Sequence, residues 1–121
     1  MKYVALDFET GNASPLSACA LGASIFEDGA LVREQVSLIR PPAGARKFHW
    51  GNVRVNHITE KMVADAPPFD AVWQNLADEA EGSVLVCHNA MFDVGVLNAC
   101  LAHYHLPIPA CRYVCTVKVA R

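Results

Sequence analysis

The sequence predicts an α/β layer fold with a mixed five-stranded sheet flanked by helices, and three observations predict it. The first run, Tyr3 to Glu9 (Y-V-A-L-D-F-E), is almost continuously apolar and β-prone. Two more strand-like runs follow it at once, joined by Asp28-Gly29. From Asp65 onward the apolar spacing becomes helical and then alternates with short strands. The order β-β-β-α-β-α-β combines early antiparallel strands with later right-handed crossovers, which is the signature of a mixed sheet.

The first strand has so little polar content that it reads as central and covered on both faces. After a Gly11-Asn12-Ala13-Ser14-Pro15 turn, Ser17 to Glu27 forms the second strand, and Asp28-Gly29 is a two-residue hairpin turn leading into Leu31 to Ile39. Pro41-Pro42 ends that strand, and the aperiodic stretch through Ala43, Gly44, Trp50, Gly51 and Asn52 reads as a surface loop. Phe69, Val72, Trp73, Leu76, Ala77 and Ala80 then have helical spacing, predicting one amphipathic helix started near Pro67 and stopped by Gly82. Val84 to Cys87 is a short buried strand. Val94, Leu97, Leu101 and Tyr104 mark a second helix that ends before Pro107, and a fifth strand is expected around Tyr113 to Thr116.

Composition bounds the function. A chain of 121 residues with 53% hydrophobic content supports one domain over residues 1–121 and no second one. Uninterrupted apolar runs of about 18 residues are missing, so the chain is not expected to span a membrane. The N-terminus carries Asp7 inside its first apolar run and offers no small-residue cleavage site, which predicts a cytoplasmic setting. Five cysteines without a C-x-x-C pair read as reduced thiols in apolar stretches. The net charge of -2 gives no global attraction to phosphate backbones, so any nucleic-acid contact must be local.

Chemistry is carried by two segments. In Asp7-Phe8-Glu9-Thr10 two carboxylates two residues apart on a strand project to one face at the strand's end. Burying them without a compensating cation would be costly, and hard oxygen ligands favour magnesium or manganese. Taken alone, D-x-E reads equally as a strand end that reaches solvent and caps the next turn. The second segment, Val86-Cys87-His88-Asn89-Ala90-Met91-Phe92-Asp93, runs from a buried strand into a helix whose first turn holds a third acid. Asp93 alone reads as compensation of a helix dipole. If the Val84 strand lies parallel beside the first, all three acids reach the same edge of the sheet, where α/β folds bind ligands.

With these segments in view, D-F-E-T resembles the first motif and H-N-A-M-F-D the second motif of the DnaQ-like (DEDDh) exonucleases, which include the proofreading epsilon subunit of DNA polymerase III. The resemblance extends through Ile58-Thr59, Asp65-Ala66-Pro67, the Trp73 helix and Cys115-Thr116, and D-F-E-T-G-N is especially similar to the family's small one-domain bacterial branch. It implies a ribonuclease H-like fold and 3′-to-5′ exonuclease activity that releases nucleoside monophosphates. It also implies two magnesium or manganese ions held by Asp7, Glu9 and Asp93. Phe8 and Thr10 would border the terminal nucleotide, and Asn89 and Phe92 would shape its pocket. The implied partner is a single-stranded or frayed 3′ end, DNA before RNA, together with a DNA polymerase.

Two departures from the family pattern stand out. No His-x-x-x-x-Asp third motif follows the second, so the sequence reads as a C-terminally truncated exonuclease domain of weak or absent activity. Asn56-His57 stands where the family has His-Gly, so His57 is given no role. His103 and His105, two apart on a helix, point in different directions and do not form a zinc pair. The rival readings are an RNA-trimming exonuclease of the same fold, a non-catalytic nucleic-acid-binding or polymerase-associated module, and, last, an unrelated metal hydrolase of small phosphates.

Overall fold

A computed structural model describes residues 1–115. Its sheet has the order β3-β2-β1-β4-β5, with β1 (Lys2–Thr10), β2 (Ala18–Glu27), β3 (Ala30–Leu38), β4 (Val84–Cys87) and β5 (Arg112–Cys115). Strand β1 pairs antiparallel with β2 and parallel with β4, and β4 pairs parallel with β5. The β2–β3 turn places Asp28 and Gly29 at φ values of 51° and 85°, the two positive values that Asp-Gly accommodates in a hairpin.

Helices α3 (Phe69–Gln74), α4 (Ala77–Ala80) and α5 (Ala90–His103) cover one face of the sheet. There Val4, Leu6 and Phe8 of β1, Leu21 and Ile25 of β2 and Leu85 of β4 meet Phe69, Trp73, Leu97 and Leu101. Phe69 is the hub, its ring 6.4 Å from Phe8, 5.9 Å from Trp73 and 6.1 Å from Tyr104. At roughly 1.5–3 kcal/mol for each fully buried large apolar side chain, this layer is the main source of stability.

The first strand is not covered on both faces as its composition predicts. Val4, Leu6, Phe8 and Thr10 are buried, whereas Tyr3 and Asp7 are exposed and Ala5 and Glu9 are half-buried. Strand alternation explains the split. On the second face two further helices, α1 (Trp50–Asn56) and α2 (Glu60–Val63), gather with a small cluster around Cys19, Ala20, Ile58 and Val63, leaving Tyr3, Leu31 and Val36 exposed.

The expected loop through Asn52 is therefore partly helical. His49 caps α1 by accepting the Gly51 N–H on Nδ1 at 3.1 Å, and His57, at φ 61°, ends it. Thr59 caps α2. The single helix predicted from Pro67 to Gly82 breaks at Asn75–Leu76. Arg33 on β3 donates to the Asn75 carbonyl at 2.8 Å, and Leu76 departs to φ -119°. Strand β5 falls close to expectation, while Thr116 and Val119-Ala120-Arg121 lie outside the described residues. All five cysteines are unbridged; Cys19, Cys87 and Cys100 are buried, Cys111 and Cys115 half-buried.

Candidate active site

Parallel pairing of β1 with β4 sends both acid-bearing segments to the same edge of the sheet. Their ladder covers only Tyr3 to Ala5 on β1, and β4 then turns away into α5. Beyond the ladder the Phe8 N–H donates to Oδ1 of Asp93 at 3.0 Å, so a carboxylate takes the place of a strand partner. Asp93 sits in the first turn of α5, its own N–H bonded to the Asn89 carbonyl at 3.0 Å. The three acids thus lie near enough to feel one another's charge, and they differ sharply in setting: Asp93 is 4% exposed, Glu9 half-buried and Asp7 open to solvent.

Electrostatics records the crowding. Burial pushes the Asp93 carboxyl above its ordinary value; the charges of Asp7 and Glu9 push the same way, and the Phe8 and Asn89 N–H groups oppose them. Glu9 is raised by burial first and by Asp7 second, against a hydrogen bond from Asn56. Behind the acids lie two neutral thiols. Burial pushes Cys19 up to about 11, and Cys19 Sγ donates to the Glu9 carbonyl at 3.4 Å. Burial and Asp93 push Cys87 up to about 12.

A site of mutually repelling carboxylates backed by protonated sulfur is a hard-oxygen donor set, which fits magnesium or manganese and not a thiophilic ion. Among the described residues no three His, Cys, Asp or Glu side chains close around a single point as they stand. Asp7 and Glu9 are the pair that a cation would reach directly, with Asp93 already engaged at Phe8.

Beside the acids is a hollow of about 440 Å³, bounded by Thr10 and Asn12 on one side and Met91 and Phe92 on the other. Thr10 and Phe92 thus line this hollow. Phe8 does not: its side chain is 2% exposed and lies in the core against Phe69, because the residue between two same-face acids must point to the other face. The Asn89 side chain is not part of this wall, and its carbonyl instead starts α5. Another hollow, between α3–α4 and the loop leading into β5, lies at the far end of the sheet and touches none of the acids.

Sequence reasoning missed Asn52 and Asn56. Both amide groups donate to the Thr10 carbonyl at 3.0 Å, and Asn56 also hydrogen-bonds Glu9. The available signal was their four-residue spacing, which puts both on one face of a helix.

A sequence profile of the exonuclease family RNase T matches residues 4–121. A protein of Mycobacterium tuberculosis described as a bifunctional exonuclease/endonuclease is 35% identical over 98% of this chain and 19% of its own length. The DNA polymerase III epsilon subunit of Pasteurella multocida is 30% identical over 99% of this chain and 51% of its own. The chain therefore spans between a fifth and a half of these relatives. Among solved structures, exonuclease X in complex with 5′-overhanging duplex DNA superposes with a TM-score of 0.73 at 30% identity, covering 98% of this chain and 62% of that one. A product-bound exonuclease I reaches a TM-score of 0.84 at 13% identity over 98% of this chain and 30% of its own, which bears on the fold alone. The mixed sheet is the ribonuclease H-like sheet of these exonucleases, and the chain belongs to the RNase T exonuclease family, the DnaQ-like group that its D-F-E-T and H-N-A-M-F-D segments resemble.

Proposed function

We propose that residues 1–121 form one nuclease domain of a 3′-to-5′ exonuclease that hydrolyses the terminal phosphodiester of DNA and releases nucleoside monophosphates. The observation that carries this reading is the Asp93–Phe8 hydrogen bond, which fastens the third acid to the strand bearing the first two. A DNA substrate is supported by the DNA bound in the similar exonuclease X structure. Association with a DNA polymerase is supported by the similarity to a DNA polymerase III subunit.

In this reading Asp7, Glu9 and Asp93 would together hold divalent magnesium or manganese ions. When bound, such ions supply the Lewis-acid charge that activates water and draws negative charge from the phosphoryl oxygens. The chain's own residues do the positioning. Thr10 and Phe92 wall the hollow for the terminal nucleoside, and about 440 Å³ suits a ligand of that size. Asn56 fixes the Glu9 carboxylate while holding the end of β1. Phosphate contact through bound metal would let a chain of net charge -2 hold a polyanion.

The test is digestion of 5′-labelled single-stranded DNA by the full-length protein with Mn²⁺. Stepwise shortening that EDTA stops and Asp7→Ala abolishes is the expected result. An RNA strand of the same sequence, run in parallel, decides between DNA and RNA. Shortening of neither strand would refute the enzyme reading in favour of a nucleic-acid-binding module.

A further inference from the structure

The hollow at the far end of the sheet has two walls of different character. Asp70, Trp73, Ala77, Asp78 and Glu81 follow one another at helical spacing, so a single face of α3 and α4 lines it straight across the break at Asn75–Leu76. The opposite wall is Leu106-Pro107-Ile108-Pro109. About 520 Å³ lies between them, within the roughly 300–1,000 Å³ of built ligand sites.

The second wall is held at both ends. His105, at φ 55°, turns the chain off α5, and the Leu106 N–H donates to the Leu101 carbonyl at 2.8 Å. Beyond Pro109 the Ala110 carbonyl accepts the Gly82 N–H at 2.7 Å, and the Ala110 N–H donates to Glu81 Oε2 at 3.1 Å. Pro107 and Pro109 fix their own φ angles. Pinned in this way, Leu106 packs against the core while Ile108 stays 65% exposed. A preset apolar side chain held out in water gains from a partner's apolar surface and loses little entropy in meeting it.

Charge defines the partner. Asp70, Asp78 and Glu81 face the hollow, and among the described residues no Lys or Arg lines it. Lys2 and Arg33 approach α4 at Glu79, which is not part of the hollow. Asp70 and Asp78 stand in the first turns of α3 and α4, where an acid suits the helix dipole, but that role does not account for the exposed apolar wall opposite them. An acidic rim repels the phosphates of nucleic acid and of anionic lipid, and it attracts Lys and Arg.

We propose that this groove docks a basic segment of a partner protein. A large apolar side chain of that segment lies against Ile108 between the walls, and flanking Lys or Arg residues meet Asp70 and Asp78. The groove is remote from Asp7, Glu9 and Asp93, so a docked partner leaves the edge bearing those acids open. The proposal does not depend on the exonuclease reading.

The test pans a phage-displayed library of random peptides on the full-length protein. The most enriched peptide, fluorescently labelled, is then titrated into unaltered protein and two variants. Enriched sequences are expected to carry a large apolar residue flanked by Lys or Arg. Ile108→Ser should weaken binding by at least about tenfold, the loss of an anchor contact. Asp70→Asn combined with Asp78→Asn should weaken it by about threefold to tenfold, a difference that high salt removes. All three positions are exposed, so melting temperatures are expected to stay unchanged. No enrichment, enriched peptides without basic residues, or equal affinity for all three proteins would overturn the groove. So would a dimer of unaltered protein in sedimentation that Ile108→Ser dissolves, since the face would then join two copies of this chain. DNA hydrolysis followed in the same proteins keeps the two readings apart, because its failure leaves the peptide affinities as measured.

Discussion

The Thr10 carbonyl supports a quantitative prediction. It lies beyond the β1–β4 ladder, in a buried residue, and takes its hydrogen bonds from two side chains, Asn52 and Asn56, each at 3.0 Å. Removing one asparagine leaves the other as donor, so each single alanine variant loses a net hydrogen bond worth about 1 kcal/mol. Asn56→Ala also frees the Ile58 N–H, which donates to Asn56 Oδ1 at 2.9 Å, but that loss is the same in the single and the double variant. Removing both asparagines strips a buried carbonyl of both side-chain donors, which costs about 1–3 kcal/mol more. The double variant is therefore destabilised beyond the sum of the singles by about that amount. Urea unfolding of the four proteins in a double-mutant cycle measures the coupling directly, and thermal melting should show it as an extra loss of about 4 °C per kcal/mol. Strict additivity would mean that the two amides do not share the carbonyl, and the clamp on α1 would have to be re-drawn.

Three further outcomes are expected. Asp7→Asn should cut metal-dependent hydrolysis by more than about a hundredfold, since transition-state charge stabilisation worth several kcal/mol is withdrawn. The same change should leave the melting temperature of metal-free protein nearly unchanged, because Asp7 is exposed. Mn²⁺ affinity, measured by calorimetry across pH, should fall on the acid side and begin to fall above the ordinary carboxylate range, because Asp93 and Glu9 are both raised and bind a cation only when ionised. The sign reverses for metal-free stability. Raised acids favour the folded state while protonated, so their contribution is lost as pH rises through their folded values, and saturating Mn²⁺ should remove that loss. Finally, iodoacetamide at neutral pH should leave Cys19 and Cys87 unlabelled in folded protein, with thiols pushed up to about 11 and about 12; fast labelling of either would contradict the closed packing behind the acids.

What could be read from the sequence was whatever local chemistry determines. Asp28-Gly29 demanded two positive φ values, and the turn has them. The convergence of the acids was conditional on the Val84 run lying parallel beside the first strand, a condition no local pattern decides, and the ladder pairs Tyr3 with Val84 in parallel. The α1 helix was hidden because its seven residues include Gly51, Asn52 and Asn56, poor helix formers, and none is buried. Its order comes from long-range bonds to Gly11 and Thr10 that no local pattern encodes. The break at Asn75 has the same origin, a guanidinium 42 residues away. Phe8 was misplaced for another reason: adjacency in the D-F-E-T motif suggested a shared role, whereas strand alternation separates it from both acids.

The acids also show how the site remains compatible with folding. Three buried carboxylates would each need a partner, yet the electrostatic cost here falls mainly on one of them. Asp7 stays in water, Glu9 is half-covered and has Asn56, and only Asp93 is fully enclosed, with a backbone N–H to accept. That N–H belongs to Phe8, whose ring anchors the opposite face through Phe69. Core packing and acid placement are thus joined through a single strand residue, so a cavity made at Phe69 should loosen the Asp93–Phe8 contact as well as the core. Phe69→Ala, which removes a buried ring at a cost of about 3–5 kcal/mol, is accordingly expected to weaken Mn²⁺ binding although Phe69 touches no acid. Mn²⁺ affinity unchanged in still-folded Phe69→Ala protein would show that Asp93 is held by α5 alone.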